Sequence, residues 1–376
     1  MRKRIIKTAA LILSLVMLLS MASCSNGRIT DYAVAHETEF GAVIIDISID
    51  DFCKKGFAFG DSVDLSFSNG REVTDIPFYN GYYVRPGDLL LVGYPGYETI
   101  RFSCNAGDDT WVMEDLKEGD KVSIKVNKKA KYIDVQNALN IRYSDERADY
   151  PSDEAFANYR EIRVGNILSS TFYRSASPVD NRHKRAHTVD SLMAKDGIRY
   201  VINLAETEDK LKSYMDADDF DSPWFKSLYS EGDYHLAMMN MNYSSKEFAE
   251  KLADSVREIT AHDGPFLIHC QEGKDRTGFV CLILEALAGA TYDEIKDDYM
   301  KTYENYYKIT TESDKAKYDM IVDQYLGGMI DAISGQKGAD PYSVDLREGA
   351  VNYLKNAGMD SNEIKDLAWK LTIIEE

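Results

Sequence analysis

The apolar run PFLIHC, residues 265–270, ends on a cysteine, and only Gln271 to Asp275 and Arg276 separate it from a second apolar run, TGFVCLILEALAGA. The first has the length of a buried strand and the second is long enough for a buried helix. A strand that hands over to a helix through so short a loop needs a sheet for that helix to lie on, which is the layering of an α/β domain. The flanking sequence repeats the alternation. HTVDSLMAKDGI reads as a helix leading into the strand RYVINLAE (Arg199 to Glu206), and SKEFAEKLADSVREITAH has apolar positions at helical spacing just ahead of PFLIHC. From Thr291 onward the chain reads as mostly helical. We expect residues 166–376 to form an α/β domain with a central sheet flanked by helices.

The texture before this is different. GAVIIDISID, DSVDLSFS, YYVRPGDLLLVGY, ETIRFSC and DKVSIKV are short β-like runs separated by Gly, Asn and Asp, with no long helical period between them. Residues 39–131 are therefore expected to form a small all-β barrel or sandwich, and 132–165, centred on the charged YSDERADYPSDEAF, a connector. Phe40-Gly41, Pro86-Gly87-Asp88 and Gly119-Asp120-Lys121-Val122 give this stretch a resemblance to the β-barrel domain of bacterial adenosylmethionine-hydrolysing proteins. That resemblance implies the fold and no activity, because turn residues of this kind occur in any barrel.

Residues 1–23 combine a basic start (Arg2, Lys3, Arg4, Lys7) with an uncharged run from Thr8 to Ser23, the architecture of an export signal. The run falls short of the roughly 20 residues of a spanning helix. Met21-Ala22-Ser23-Cys24 resembles a bacterial lipoprotein signal, which implies lipidation at Cys24, a polar tether over 24–38, and a cell-surface protein anchored to the outer face of the cytoplasmic membrane. Export would permit a disulfide, so Cys53 and Cys104 are a candidate pair. Cys281 lies in the apolar helix run and reads as a small buried hydrophobe.

The chain carries 44 Lys+Arg against 63 Asp+Glu, a formal net charge of −19, which argues against nucleic acid as a partner. An anionic substrate must instead be captured by a local site. HCQEGKDRTG, residues 269–278, offers one. A loop from Gln271 to Asp275 at a helix start presents backbone N–H groups and the positive end of the helix dipole to an anion. The same field favours a thiolate at Cys270. Arg276 can take two phosphoryl oxygens through its planar fork, Thr277 can donate a hydroxyl hydrogen bond, and Gly273 and Gly278 allow close backbone approach. Nucleophile and clamp would then face one bound phosphate from two sides.

This Cys-x5-Arg-Thr-Gly pattern, with His269 before it, resembles that of the cysteine-dependent protein tyrosine phosphatases. Gly273-Lys274-Asp275-Arg276-Thr277-Gly278 is similar to a bacterial branch acting on phosphotyrosine, sometimes phosphoserine or phosphothreonine, and phosphoinositides. Tyr173-Arg174-Ser175, GIRYVINLAE and the closing REGAVNYLKNAGMDSNEIKDLAWKL extend the likeness. It implies a phosphocysteine mechanism without metal or other cofactor and, as partner, a phosphorylated protein, phospholipid or inositol phosphate. Cys270 would be the nucleophile and Gln271, Glu272, Gly273, Lys274, Thr277 and Gly278 the substrate-binding loop, with His269 orienting it. Arg174 is either a buried partner of the loop or a substrate contact. Two features depart from the branch: Ala205-Glu206 stand where an arginine is frequent, and Glu272 either turns to solvent or repels heavily phosphorylated ligands. No WPD tripeptide occurs. Asp275 either protonates the leaving oxygen or caps the helix, and the rival donors are Asp216, Asp218, Asp219 and Asp221. An idle phosphate-binding or adhesion module is the remaining alternative.

Overall fold

The computed structural model describes residues 27–372, so the proposed signal and Cys24 lie outside the described residues. The chain divides into two compact units. One comprises residues up to Tyr82 with Leu89–Ser103 and Asp109–Gln136, and the other comprises Tyr83–Asp88, Cys104–Asp108 and Asn137 onward.

The first unit is a closed barrel. Its strands are β1 (Arg28–Glu37), β2 (Ala42–Ser48), β3 (Ser62–Phe67), β4 (Glu72–Tyr79), β5 (Leu89–Val92), β6 (Thr99–Cys104) and β7 (Lys121–Lys128), in the order β1-β2-β6-β5-β4-β3-β7. β1 pairs antiparallel with both β2 and β7 and so closes the ring. Closure leaves no open edge. Inward positions alternate along β2, where Val43, Ile45 and Ile47 join Phe52, Val63, Leu65, Phe78, Ile100 and Phe102 in one buried cluster.

Two expectations need correction here. Residues 28–37, expected as part of the tether, form β1, because Ile29 and Val34 point into the barrel core even though polar residues separate them in the sequence. Cys53 and Cys104 are both free thiols.

The second unit holds a five-stranded sheet in the order β11-β10-β12-β9-β8, built from β8 (Arg160–Glu161), β9 (Phe172–Ser175), β10 (Tyr200–Asn203), β11 (Tyr234–Leu236) and β12 (Phe266–His269). The pairs β9/β12, β12/β10 and β10/β11 are parallel and β8/β9 is antiparallel. β9, β10 and β12 are buried along their whole length, as parallel strands covered by helices on both faces must be. The Lys246–Ala261 helix turns Phe248, Leu252, Val256 and Ile259 inward, and the Asp275–Leu287 helix is buried over nearly its full circumference. The expected α/β domain with flanking helices is thus present.

The connector is not a connector. Residues 137–165 belong to the second unit, where they supply the Asp153–Ala157 helix and the edge strand β8. Residues 83–88 and 104–108, expected in the β domain, also group there. Arg85 pairs with Asp331 at 3.0 Å and with Asp323, and the turn proline Pro86 sits so close to Gly328 that a Cβ there would meet its Cδ at 2.3 Å.

The assignment of β1 can be tested directly. Ile29→Ala should lower barrel stability in urea unfolding by about 2–5 kcal/mol, the cost of truncating a packed isoleucine. A residue in a solvated tether would change it by no more than about 0.5 kcal/mol.

Candidate active site

β12 delivers Cys270, only 3% exposed, to a loop that ends where the helix begins at Asp275. The loop's shape follows from the fate of its carbonyls. The Cys270 carbonyl accepts from His269 Nδ1 at 3.0 Å, and that of Gln271 from the Ser177 amide at 3.0 Å. The Glu272 carbonyl accepts from the Tyr306 hydroxyl at 2.8 Å and from Asn158 Nδ2 at 3.2 Å. That of Gly273 accepts from Arg174 Nη2 at 3.0 Å and again from Asn158 Nδ2, and that of Lys274 from the Gly278 amide at 2.9 Å. In a trans peptide the C=O and N–H point opposite ways. Tying each carbonyl to a protein partner therefore turns the N–H of its peptide away from that partner, where an anion can take it. No side chain caps the helix, so its first N–H groups add to the same field.

Gly273 is indispensable to this path. Its φ is +67°, and a Cβ would lie 2.2 Å from the Ser175 carbonyl oxygen, so the residue satisfies both a left-handed turn and a backbone contact. Gly278 has a milder constraint, with Tyr299 Cε2 at 3.0 Å from a would-be Cβ.

Arg174, left between two roles by the sequence, is a partner of the loop. It is 1% exposed and pairs with Asp298 at 2.5 Å, while Arg160 holds the other carboxylate oxygen at 2.8 Å. Burial disfavours the Asp298 carboxylate, but Arg160 and Arg174 outweigh it and hold its pKa far below the usual range. The neighbouring Glu285 is driven the other way, its pKa raised by burial and by Asp298. Asn158 completes the support. It adopts a left-handed φ of +49° at the end of its helix, is fully buried, and accepts from Arg160 Nη1 at 2.8 Å.

His269 is fully buried, and burial lowers its pKa to about 4. Because a carbonyl only accepts, its Nδ1 carries the proton. The ring is therefore neutral and serves as a brace. Arg276 donates from Nη1 to the Met239 carbonyl at 3.0 Å, while its Nε is buried without a hydrogen-bond partner. The Thr277 hydroxyl is likewise buried and unpartnered.

Asp275 keeps about a third of its side chain at the surface, at 32%, yet the groups packed round it desolvate the carboxyl and raise its pKa. Glu272 adds to the rise, and Lys274 and Arg276 oppose it. Asp275 makes no capping hydrogen bond, which removes the helix-cap alternative. The rival donors Asp216, Asp218, Asp219 and Asp221 are all exposed. Asp219 accepts from Asn181 at 2.9 Å and Asp221 pairs with His187 at 3.0 Å.

Several residues of this assembly were not singled out in the sequence. Asn158, Arg160 and Tyr143 come from the supposed connector, and Asp298 and Tyr306 from the Tyr292–Tyr307 helix. Glu206 was noticed only as a departure. It is fully buried with both carboxyl oxygens unpartnered, and burial raises its pKa against the pull of Arg276.

The sequence profile of the tyrosine phosphatase family matches residues 121–373, more than half of the chain. The chain belongs to the tyrosine phosphatase family. The sheet with its flanking helices and the cysteine-centred loop lie within the matched residues. No curated protein matches the chain. Among solved structures it is similar to an uncharacterized conserved protein from Thermotoga maritima, at 26% identity and a TM-score of 0.21, over 26% of this chain and 35% of that one. The match thus spans about a third of that protein's length. It is also similar to the core catalytic domain of PP-IP phosphatase SIW14 from S. cerevisiae in complex with citrate, at 18% identity and a TM-score of 0.27, over 47% of this chain and 91% of that one. A Siw14 catalytic core matches at 16% and 0.29, over 53% and 94%. Overlaps of this extent are too small to bear on activity.

Asn158→Ala removes two hydrogen bonds to the loop carbonyls while Tyr306 and Arg174 keep theirs. At about 1 kcal/mol for each bond, or about 2 kcal/mol together, kcat/KM for an aryl phosphate should fall about 30-fold, measured alongside thermal unfolding to show that the fold persists.

Proposed function

We propose that the protein is a phosphomonoesterase of phosphotyrosine, with dual-specificity action on other phosphorylated side chains, working through a phosphocysteine intermediate. The observation that carries this reading is the loop itself: five consecutive carbonyls tied outward around a cysteine, with Arg276 at the helix start. The Cys270 thiolate attacks phosphorus and the P–O bond to the substrate breaks. Arg276 and the loop amides hold the charge that builds on the transferring oxygens, and Asp275 gives its proton to the departing oxygen. Water then attacks phosphorus, its proton passes to the Asp275 carboxylate, and the S–P bond breaks to release phosphate and restore the thiolate.

A phosphoinositide or inositol polyphosphate would need Lys274 free to meet a second phosphate. Lys274 is already paired with Glu272 at 3.1 Å and lies 3.7 Å from Asp275.

Asp275→Asn distinguishes the acid from a bystander. Hydrolysis of a phosphotyrosine peptide should slow by about 10²-fold, within the range of general acid catalysis, and that of a nitrophenyl ester much less. The sign with pH follows from the raised pKa. Asp275 stays protonated to higher pH than an ordinary carboxylic acid, activity on the peptide declines as pH rises through that value, and the substitution should flatten this alkaline limb. Equal losses on both esters would remove Asp275 from the role.

We propose also that the protein is exported and held to the outer face of the cytoplasmic membrane by lipid at Cys24. Cys24→Ala should abolish labelling by a lipid precursor and release the protein from membranes with phosphatase activity intact. Labelling that survives the change would refute the anchor.

A further inference from the structure

Glu272 and Lys274 take no part in the chemistry proposed above, yet their side chains are partly exposed on the loop, at 31% and 19%. Each is held. One oxygen of Glu272 takes the Lys274 ammonium at 3.1 Å, and the other accepts from the Tyr143 hydroxyl at 2.7 Å. Tyr143 cannot drift, because its ring stacks on Tyr306 at 4.9 Å and its hydroxyl lies 3.2 Å from His183 Nε2. The Arg185 guanidinium lies 4.7 Å over the centre of the same ring. Burial works to raise the Glu272 carboxyl, but Lys274 and the Tyr143 hydroxyl outweigh it and hold its pKa down to about 2, so it is an anion at any working pH.

A ligand that carries a second phosphoryl group needs a cation beside the loop and cannot tolerate a fixed carboxylate there. We propose that Glu272, positioned by Tyr143, restricts this site to ligands bearing a single phosphoryl group by neutralising Lys274 and setting a negative charge where a second phosphate would sit. This rests on the reading of the loop as a phosphoryl site. Specificity then comes from a repulsive element built into the catalytic loop, with Tyr143 as the positioning residue that keeps the carboxylate from swinging out to solvent.

The full chain can be tested by competitive inhibition of nitrophenyl phosphate hydrolysis, with inorganic phosphate as the single-phosphoryl probe and inositol hexakisphosphate as the multiple one. Glu272→Gln should lower Ki for the hexakisphosphate by about tenfold or more and Ki for inorganic phosphate by less than about threefold. Tyr143→Phe keeps the ring packing and should move the ratio of the two constants the same way by a smaller factor. Glu272→Gln/Lys274→Met should return the ratio part of the way toward its original value, because the freed ammonium carries part of the gain and relief of the repulsion the rest. An unchanged ratio in Glu272→Gln, or a gain in Glu272→Gln/Lys274→Met larger than in Glu272→Gln alone, would overturn the proposal while phosphate still competes. Inorganic phosphate that fails to compete at all would overturn the phosphoryl reading beneath it.

Discussion

The pairing of Arg174 with Asp298 supports everything that happens at the loop. An arginine 1% exposed is tolerable only with its charge answered, and Asp298, shared with Arg160, answers it. Removing one member of such a pair leaves an uncompensated charge out of water, a far larger penalty than the pair's own net contribution to stability. With that charge satisfied, Arg174 has a nitrogen left to donate to the Gly273 carbonyl. The ion pair thus fixes a backbone group of the loop from below, and Asn158 and Tyr306 do the same from its flank. The loop's amides face an incoming anion because every other direction for its peptides is already occupied.

Electrostatics around the loop are arranged in alternating signs. Asp298 and Glu272 are held ionised by their cationic neighbours, whereas Glu285, Glu206 and Asp275 are pushed toward the neutral form with burial as the leading cause. In a chain with a formal charge of −19, an anionic substrate gains nothing from the protein's overall field. In the proposed function, capture falls to Arg276, the loop amides and the uncapped helix start. Carboxyls shifted toward the neutral form subtract less from that attraction than ordinary carboxylates would, and shifting acids in opposite directions is what proton-transfer chemistry requires.

Much of this was legible from residues alone. Strand, loop and helix from Phe266 to Leu287 were readable because apolar run lengths and the glycines at 273 and 278 impose them. The barrel was legible in β2, β3, β6 and β7, whose alternation is plain. β1 was not, since Ile29 and Val34 sit among Arg, Asp, Tyr and His, and only pairing with two neighbours makes Arg28–Glu37 a strand. Asn158, Arg160 and Tyr143 hid in a charged segment that looks like linker. A hydrogen bond to a carbonyl more than a hundred residues away leaves no local pattern.

The sequence by itself determined the chemistry available: a thiol and a guanidinium with five residues between them, and glycines to let the backbone close round an anion. It did so because this part is local, with short covalent spacing fixing what can face one phosphate. Only the tertiary structure decided which groups brace that loop, that His269 is a neutral brace, that Arg174 points at a carbonyl, and that Glu272 is tied to Tyr143 and Lys274. These depend on strands and helices distant in sequence meeting at the carboxyl end of β12, and on the burial that this meeting creates. Charge state and hydrogen-bond direction are properties of that enclosure, and no stretch of the chain carries them alone.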